Sequence, residues 1–190
     1  MTVRQDLIAG NSRIGSALVN STGQVARTAF ESLGSWRDSD VERYIKLISP
    51  TLNGAKKQGA KSSVAFYRAM ANLENQAWTA PAITGADLTT QALRNGVTAN
   101  QVYRRPFVDV YTALSQGKDM SQAIELGASR AESLASTEVQ LARRNAGLKA
   151  RNSNDRIVGY IRTLTGAENC ALCYVASTQR YKSGDLMPIH

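Results

Sequence analysis

Residues 120–150 carry the pattern that most restricts how this chain folds. Ile124, Ala128, Ala131, Ala135, Val139, Ala142 and Ala146 recur at three-and-four spacing and form one stripe along a helix, and nearly all of them are small. Asp119, just before the run, is suited to cap its first turn. A stripe of alanine lets a second helix approach closely. This helix is therefore expected to pack along a partner over most of its length, through an interface that includes Ala128, Ala131, Ala135 and Ala142. Its acidic residues Glu125, Glu132 and Glu138 come early, and Arg143, Arg144, Lys149 and Arg151 come late, which complements the helix dipole.

The rest of the chain up to residue 150 also reads as helix. Leu7, Asn11, Ile14, Leu18, Val25, Ala29 and Leu33 predict an amphipathic first helix that breaks at Gly34-Ser35. Ser39 and Glu42 have capping-box spacing and open a second helix through Tyr44, Ile45 and Ile48. Pro50 is expected to end or kink it, or to start the next one through Leu52, Val64, Tyr67 and Met70, with Asn53-Gly54 and Gly59 as weak points. The breaker-rich stretch Trp78 to Gly85 is the best boundary. Beyond it a helix from Thr84 or Gly85 closes at Asn95-Gly96. Thr98 caps another, interrupted near Arg104-Arg105-Pro106, and Phe107, Val110 and Leu114 carry the apolar face on to Gly117. After Asp155 the period fits helix and strand alike.

Length and composition bound what such helices can build. The 190 residues suit one domain, or one domain with an extended helical arm. Aromatic residues make up only 6%, which fits closely spaced helices better than one thick core. No stretch approaches 18 uninterrupted apolar residues, so no membrane span is expected. The N-terminus lacks the apolar run of a signal peptide, and synthesis in a cytosol is the default, where two cysteines point away from a structural disulfide. The net charge of +8, from 23 basic and 15 acidic residues, fits a polyanionic neighbour or a merely soluble basic protein equally well. Because the charge is spread along the chain, any DNA contact is expected to be non-specific and salt-sensitive. The basic end of the 120–150 helix, joined by Arg156 and Arg162, is either dipole compensation or a DNA- or partner-facing patch.

The chemistry-bearing residues gather at the C-terminus. Cys170 and Cys173, the two cysteines, and His190, the single histidine, fall within the last 35 residues or fewer. Thiols two residues apart face one ion from a tight turn, and a later imidazole can close on it. On spacing alone a structural metal pocket and two buried free thiols stand equal. Against an enzyme, a Cys173–His190 dyad is less economical than metal ligation, and no serine or lysine is singled out by spacing. There is no phosphate-cradling glycine loop and no His-Glu-x-x-His. A redox Cys-x-x-Cys needs a βαβ pattern that residues 1–150 do not offer.

The string from Val158-Gly159-Tyr160-Ile161-Arg162-Thr163-Leu164-Thr165-Gly166 through Cys170-Ala171-Leu172-Cys173, then Gln179-Arg180-Tyr181 and Gly184-Asp185-Leu186-Met187-Pro188-Ile189-His190, resembles the phage Mu F-like minor head proteins. It is most similar to the variants of phages infecting actinobacteria, often labelled capsid maturation protease and Mu F-like fusions. The likeness is specific over roughly residues 155–190, looser over 100–150, and limited to a helical head region over 1–100. In that family Cys-x-x-Cys is followed by Pro-x-His and then by further cysteines, so the natural polypeptide is expected to run past His190.

The resemblance implies a small C-terminal α+β lobe, opened by a short strand before the cysteine turn, with Cys170, Cys173 and His190 as ligands of a structural zinc ion. It also implies a structural minor capsid protein at the portal vertex inside the head. The implied partners are the portal, packaged double-stranded DNA, and the scaffold and major capsid proteins. The alternative is a maturation protease acting on scaffold or capsid protein. The expected fold is mainly α: an extended multi-helix chain with a long helix at about 120–150. Its expected parts are a helical arm over 1–80, a helical domain over 81–152 and the start of the Cys/His lobe over 153–190.

Overall fold

The computed structural model of the chain describes residues 2–153, 159–161, 164 and 170–182. The fold is mainly helical. In chain order it comprises α1 (Val3–Glu31), α2 (Val41–Leu73), the short α3 (Thr90–Leu93) and α4 (Ala99–Tyr103), α5 (Arg105–Ser115) and α6 (Met120–Asn152). A strand β1 (Gly159–Ile161), a short helix α7 (Ala171–Thr178) and a strand β2 (Arg180–Lys182) follow. No helix among the described residues is long and apolar enough to cross a membrane.

The caps show why the helices begin and end where they do. Thr2 and Gln5 form a capping box at the start of α1, and Thr98 and Gln101 form another at the start of α4. Asp119 Oδ1 accepts from the Gln122 N–H at 2.8 Å and opens α6. The breaks fall at left-handed residues, with Gly34 at φ 72°, Asn95 at 51°, Gly96 at 90° and Gly117 at 81°. Pro106 sits in the first turn of α5, where a missing N–H costs nothing.

Two sequence expectations fail in this region. α2 runs through Pro50 as one helix of 33 residues, so Pro50 neither ends it nor starts the next one. Pro50 is exposed, and the carbonyl it leaves without a donor belongs to the exposed Lys46. The opposite face of α2, through Tyr44, Ile48 and Leu52, stays packed and keeps the helix continuous. The Ser39–Glu42 box also does not form. Instead the Asp40 carboxylate accepts from the Arg37 N–H and the Ser35 hydroxyl, both at 2.9 Å, and closes a 3-10 turn before Val41.

α6 is the axis of the molecule, and α1, α2 and α5 lie against it along much of its length. The predicted stripe is buried there: Ala128, Ala131 and Ala142 are fully covered and Ala135 nearly so. The partner that meets it is the chain's own α1 and α2. α1 turns a different face inward than its large apolar residues predict. Ile14 and Val25 are 47% and 42% exposed, while Gly15, Thr22, Gly23, Ala26 and Phe30 are buried. The cause is close approach: a Cβ on Gly23 would collide with the Ser136 hydroxyl of α6. Likewise, a Cβ on Gly127 of α6 would meet Phe30 and Val110 side chains at 2.7 Å.

An aromatic cluster joins α1, α2, α4 and α5 within the core. The Phe30 ring meets Tyr44 edge-on at 5.5 Å and Phe107 at 5.0 Å, and Tyr44 meets Tyr103 at 6.0 Å. Each such side chain removed from water stabilises the fold by roughly 1.5–3 kcal/mol. Residues before and after the Trp78 to Gly85 loop contribute to this one core. The loop itself is tied down, because the Trp78 indole donates to the Ala150 carbonyl and to Ser153 Oγ at the end of α6.

At the C-terminus β1 and β2 pair antiparallel, with Tyr160 opposite Tyr181, and α7 lies between them in sequence. A short strand before the cysteine turn is thus present, in a small α+β unit. The Tyr181 hydroxyl donates to the Ala176 carbonyl at 3.2 Å and joins β2 to α7.

Candidate functional site

Three groups of side chains carry the chemistry of this chain, and the sequence points to two of them. The first is the cysteine turn. Cys170 is the N-cap of α7, and its sulfur accepts from the Cys173 N–H at 3.4 Å and lies 3.2 Å from the Cys173 sulfur. The Cys173 thiol, and after it the Cys173 backbone N–H, pull the Cys170 pKa down. That favours the thiolate, the form that binds metal and attacks electrophiles. Cys170 is exposed and Cys173 half-buried, so the alternative of two buried free thiols does not hold.

Two sulfur donors in one thiolate-favouring turn fit half of a tetrahedral zinc site. His190, the third predicted ligand, lies outside the described residues, and among those residues no third metal-binding side chain joins the pair. The two-stranded antiparallel sheet is unlike the parallel sheet that a thioredoxin-type redox turn requires. Beside the thiols, α7 leaves Leu172, Tyr174 and Val175 each more than half exposed.

The second group is the basic end of α6, and its cations are largely engaged within the chain. Arg143 passes between α1 and α2, donating to the carbonyl and side-chain oxygens of Asn11 at 3.0 and 3.2 Å. Gly15 and Gly59 make room for it: a Cβ on Gly59 would come within 2.8 Å of the Arg143 side chain. Partial desolvation lowers the Arg143 pKa. Lys149 pairs with Asp87 at 2.5 Å, and Arg151 is buried with its Nε donating to Asn152 Oδ1. Arg144 is partly exposed, and Arg156 and Arg162 lie outside the described residues.

The third group escapes sequence reasoning. Glu138 is fully buried on α6, where its Oε2 accepts from Lys56 Nζ of α2 at 3.0 Å and from the Thr90 hydroxyl of α3 at 2.9 Å. Arg94 approaches Oε1 at 3.5 Å and donates to the Leu134 carbonyl. Tyr103 is buried beside them, its pKa raised first by desolvation and then by the Glu138 carboxylate. Glu138 reads in the sequence as one more acid early in a helix. Lys56 lies 82 residues before it and Thr90 lies 48 before it, so no local signal marks the cluster. Closed off from solvent, it fixes the register of α2 and α3 on α6 and offers no reactive group to a substrate.

Comparison with protein-family models, with curated protein sequences and with solved structures yields no match.

Proposed function

We propose that this chain is a structural minor capsid protein of the phage Mu F-like kind, seated at the portal vertex inside the head and lying near the packaged DNA. The observation that carries this is the C-terminal string around Cys170-Ala171-Leu172-Cys173, with the Pro188-Ile189-His190 that follows it. Several features support it. The two thiols sit together in one turn of a small α+β unit, as two donors of a zinc-stabilised terminal lobe would, with Cys170, Cys173 and His190 supplying three donors. Leu172 and Val175, three apart on α7 and both more than half exposed, give that lobe an apolar patch suited to docking on another protein, here the portal. The helical body has its own core, so it needs no partner to cover the alanine stripe.

The test is to follow the chain through head assembly. Assembled heads should contain it in a form shielded from added protease until the heads are opened. Its absence from heads, together with cleavage of scaffold on mixing, would move the assignment to a maturation protease.

A further inference from the structure

We infer that the outer face of α2 is a phosphate-binding surface for double-stranded DNA, formed by Arg43, Lys46, Lys57, Lys61 and Arg68. This deepens the proposal of a protein lying near packaged DNA, and names a surface on α2 for that contact. All five residues are exposed. At about 100° of rotation per residue they fall within an arc of about 60°, opposite the face that buries Tyr44, Ile48, Leu52 and Ala55. Between Lys46 and Lys57 that arc carries the uncharged, exposed Pro50, with the exposed Gly54 just beyond its edge. The single acid of α2 is Glu42, at the edge of the arc near its start.

Two observations set this face apart from an ordinary solvated one. Elsewhere many surface cations are paired, Arg27 with Glu31, Glu125 and Glu132, Arg104 with Asp38, Arg130 with Asp109, and Lys149 with Asp87. Exposed ones that are not, such as Arg13, Arg37, Arg105 and Lys118, lie on different elements instead of in one row. None of the five α2 cations takes part in an ion pair among the described residues. Moreover Lys57 and Lys61 are four apart and Arg43 and Lys46 three apart, spacings at which like charges repel on a helix. A polyanion relieves that repulsion.

The dimensions select the polyanion. From Arg43 to Arg68 the stripe runs roughly 38 Å at 1.5 Å per residue, about one turn of duplex DNA. Because Pro50 leaves α2 unbroken, the row runs along one continuous helix. A membrane-surface helix would need its apolar face free, and here that face is buried against α1 and α6. No base-reading constellation accompanies the stripe, so binding should ignore sequence.

The experiment is titration of an arbitrary-sequence duplex with the full chain over a range of salt. Five phosphate contacts give a slope of log affinity against log salt of about −4.5, a loss of about five-hundred-fold from 50 to 200 mM. Lys57→Gln, Lys61→Gln and Arg68→Gln together should flatten the slope to about −1.8, about twelve-fold over the same range. The same net charge removed elsewhere, by Arg13→Gln, Arg105→Gln and Lys118→Gln, should leave the slope near the starting value. Exchanging the three α2 residues for the other basic type should restore it. Equal losses from both triple variants, no duplex binding, or tighter binding to phosphatidylserine vesicles than to duplex would overturn the inference. Portal binding by the triple α2 variant should persist, so failure here leaves the capsid proposal standing.

Discussion

Glu138 shows how much a single residue decides in this fold. It is fully buried between Lys56, Thr90 and Arg94, so its removal leaves two cations facing a hole with no countercharge. Glu138→Ala is expected to destabilise the protein by about 3–5 kcal/mol, read as a shift in the urea unfolding midpoint. The paired change Lys56→Met with Glu138→Leu should recover most of that loss, because it removes the charges as well as their attraction. If the double variant is as unstable as the single one, the cluster is not an isolated ionic unit. At this scale the sequence was legible where chemistry is local. The caps at Thr98 and Asp119 and the stop at Asn95-Gly96 each depend on neighbours within a few residues. It was not legible for Glu138, Arg143 and Arg151, whose burial depends on helices distant in sequence.

Among the elements, α6 was read well and α1 poorly, for one physical reason. The alanines of α6 stand out because they alternate with charged residues, so their stripe is visible by period alone. α1 buries glycine, threonine and alanine where it crosses α6 closely and leaves Ile14 and Val25 partly outside. The apolar period therefore finds Leu18 and Ala29 at the edge of the buried face, and Leu33 just past the helix, but misses its centre. Close contact makes both helices intolerant of added volume. Gly127→Ala and Ala131→Leu should each cost about 1–3 kcal/mol, measured by thermal or chemical unfolding. A further element-level prediction concerns the turn that holds Asp87 against α6. The Lys149 ammonium, and then the Thr84 N–H and hydroxyl, hold the Asp87 carboxyl at about 2, below its ordinary value of 3.8. A lowered carboxyl pKa stabilises the fold above the ordinary value, and the contribution disappears as pH falls through about 2. The Trp78 indole N–H, in the same loop, should therefore lose protection from exchange between those two values, and Lys149→Met should move that loss to higher pH. An acid profile unchanged by the substitution would show that the ion pair does not hold the loop.

Taken as a whole, the molecule joins a self-sufficient helical body to a small terminal unit built around two thiols. Cys170→Ser is expected to loosen α7 and the β1–β2 pair, seen as faster proteolysis within 159–182, while α6 keeps its helical signal. Zinc added to the native chain should slow that proteolysis, and the serine variant should not respond. The helical body was legible as helix because period and caps suffice for that, while the buried face of α1 and the course of α2 through Pro50 depend on packing that neither reveals. The terminal unit was legible through its resemblance and its cysteine spacing, while its strands are too short for periodicity to fix.

Placement at the portal vertex is the central claim, and it is most directly measured by co-purifying the full chain with a phage portal protein, at moderate and at high salt. Docking through the apolar patch of Leu172 and Val175 predicts a complex that survives high salt and is lost when both residues are changed to serine. No association with the portal at either salt would contradict it.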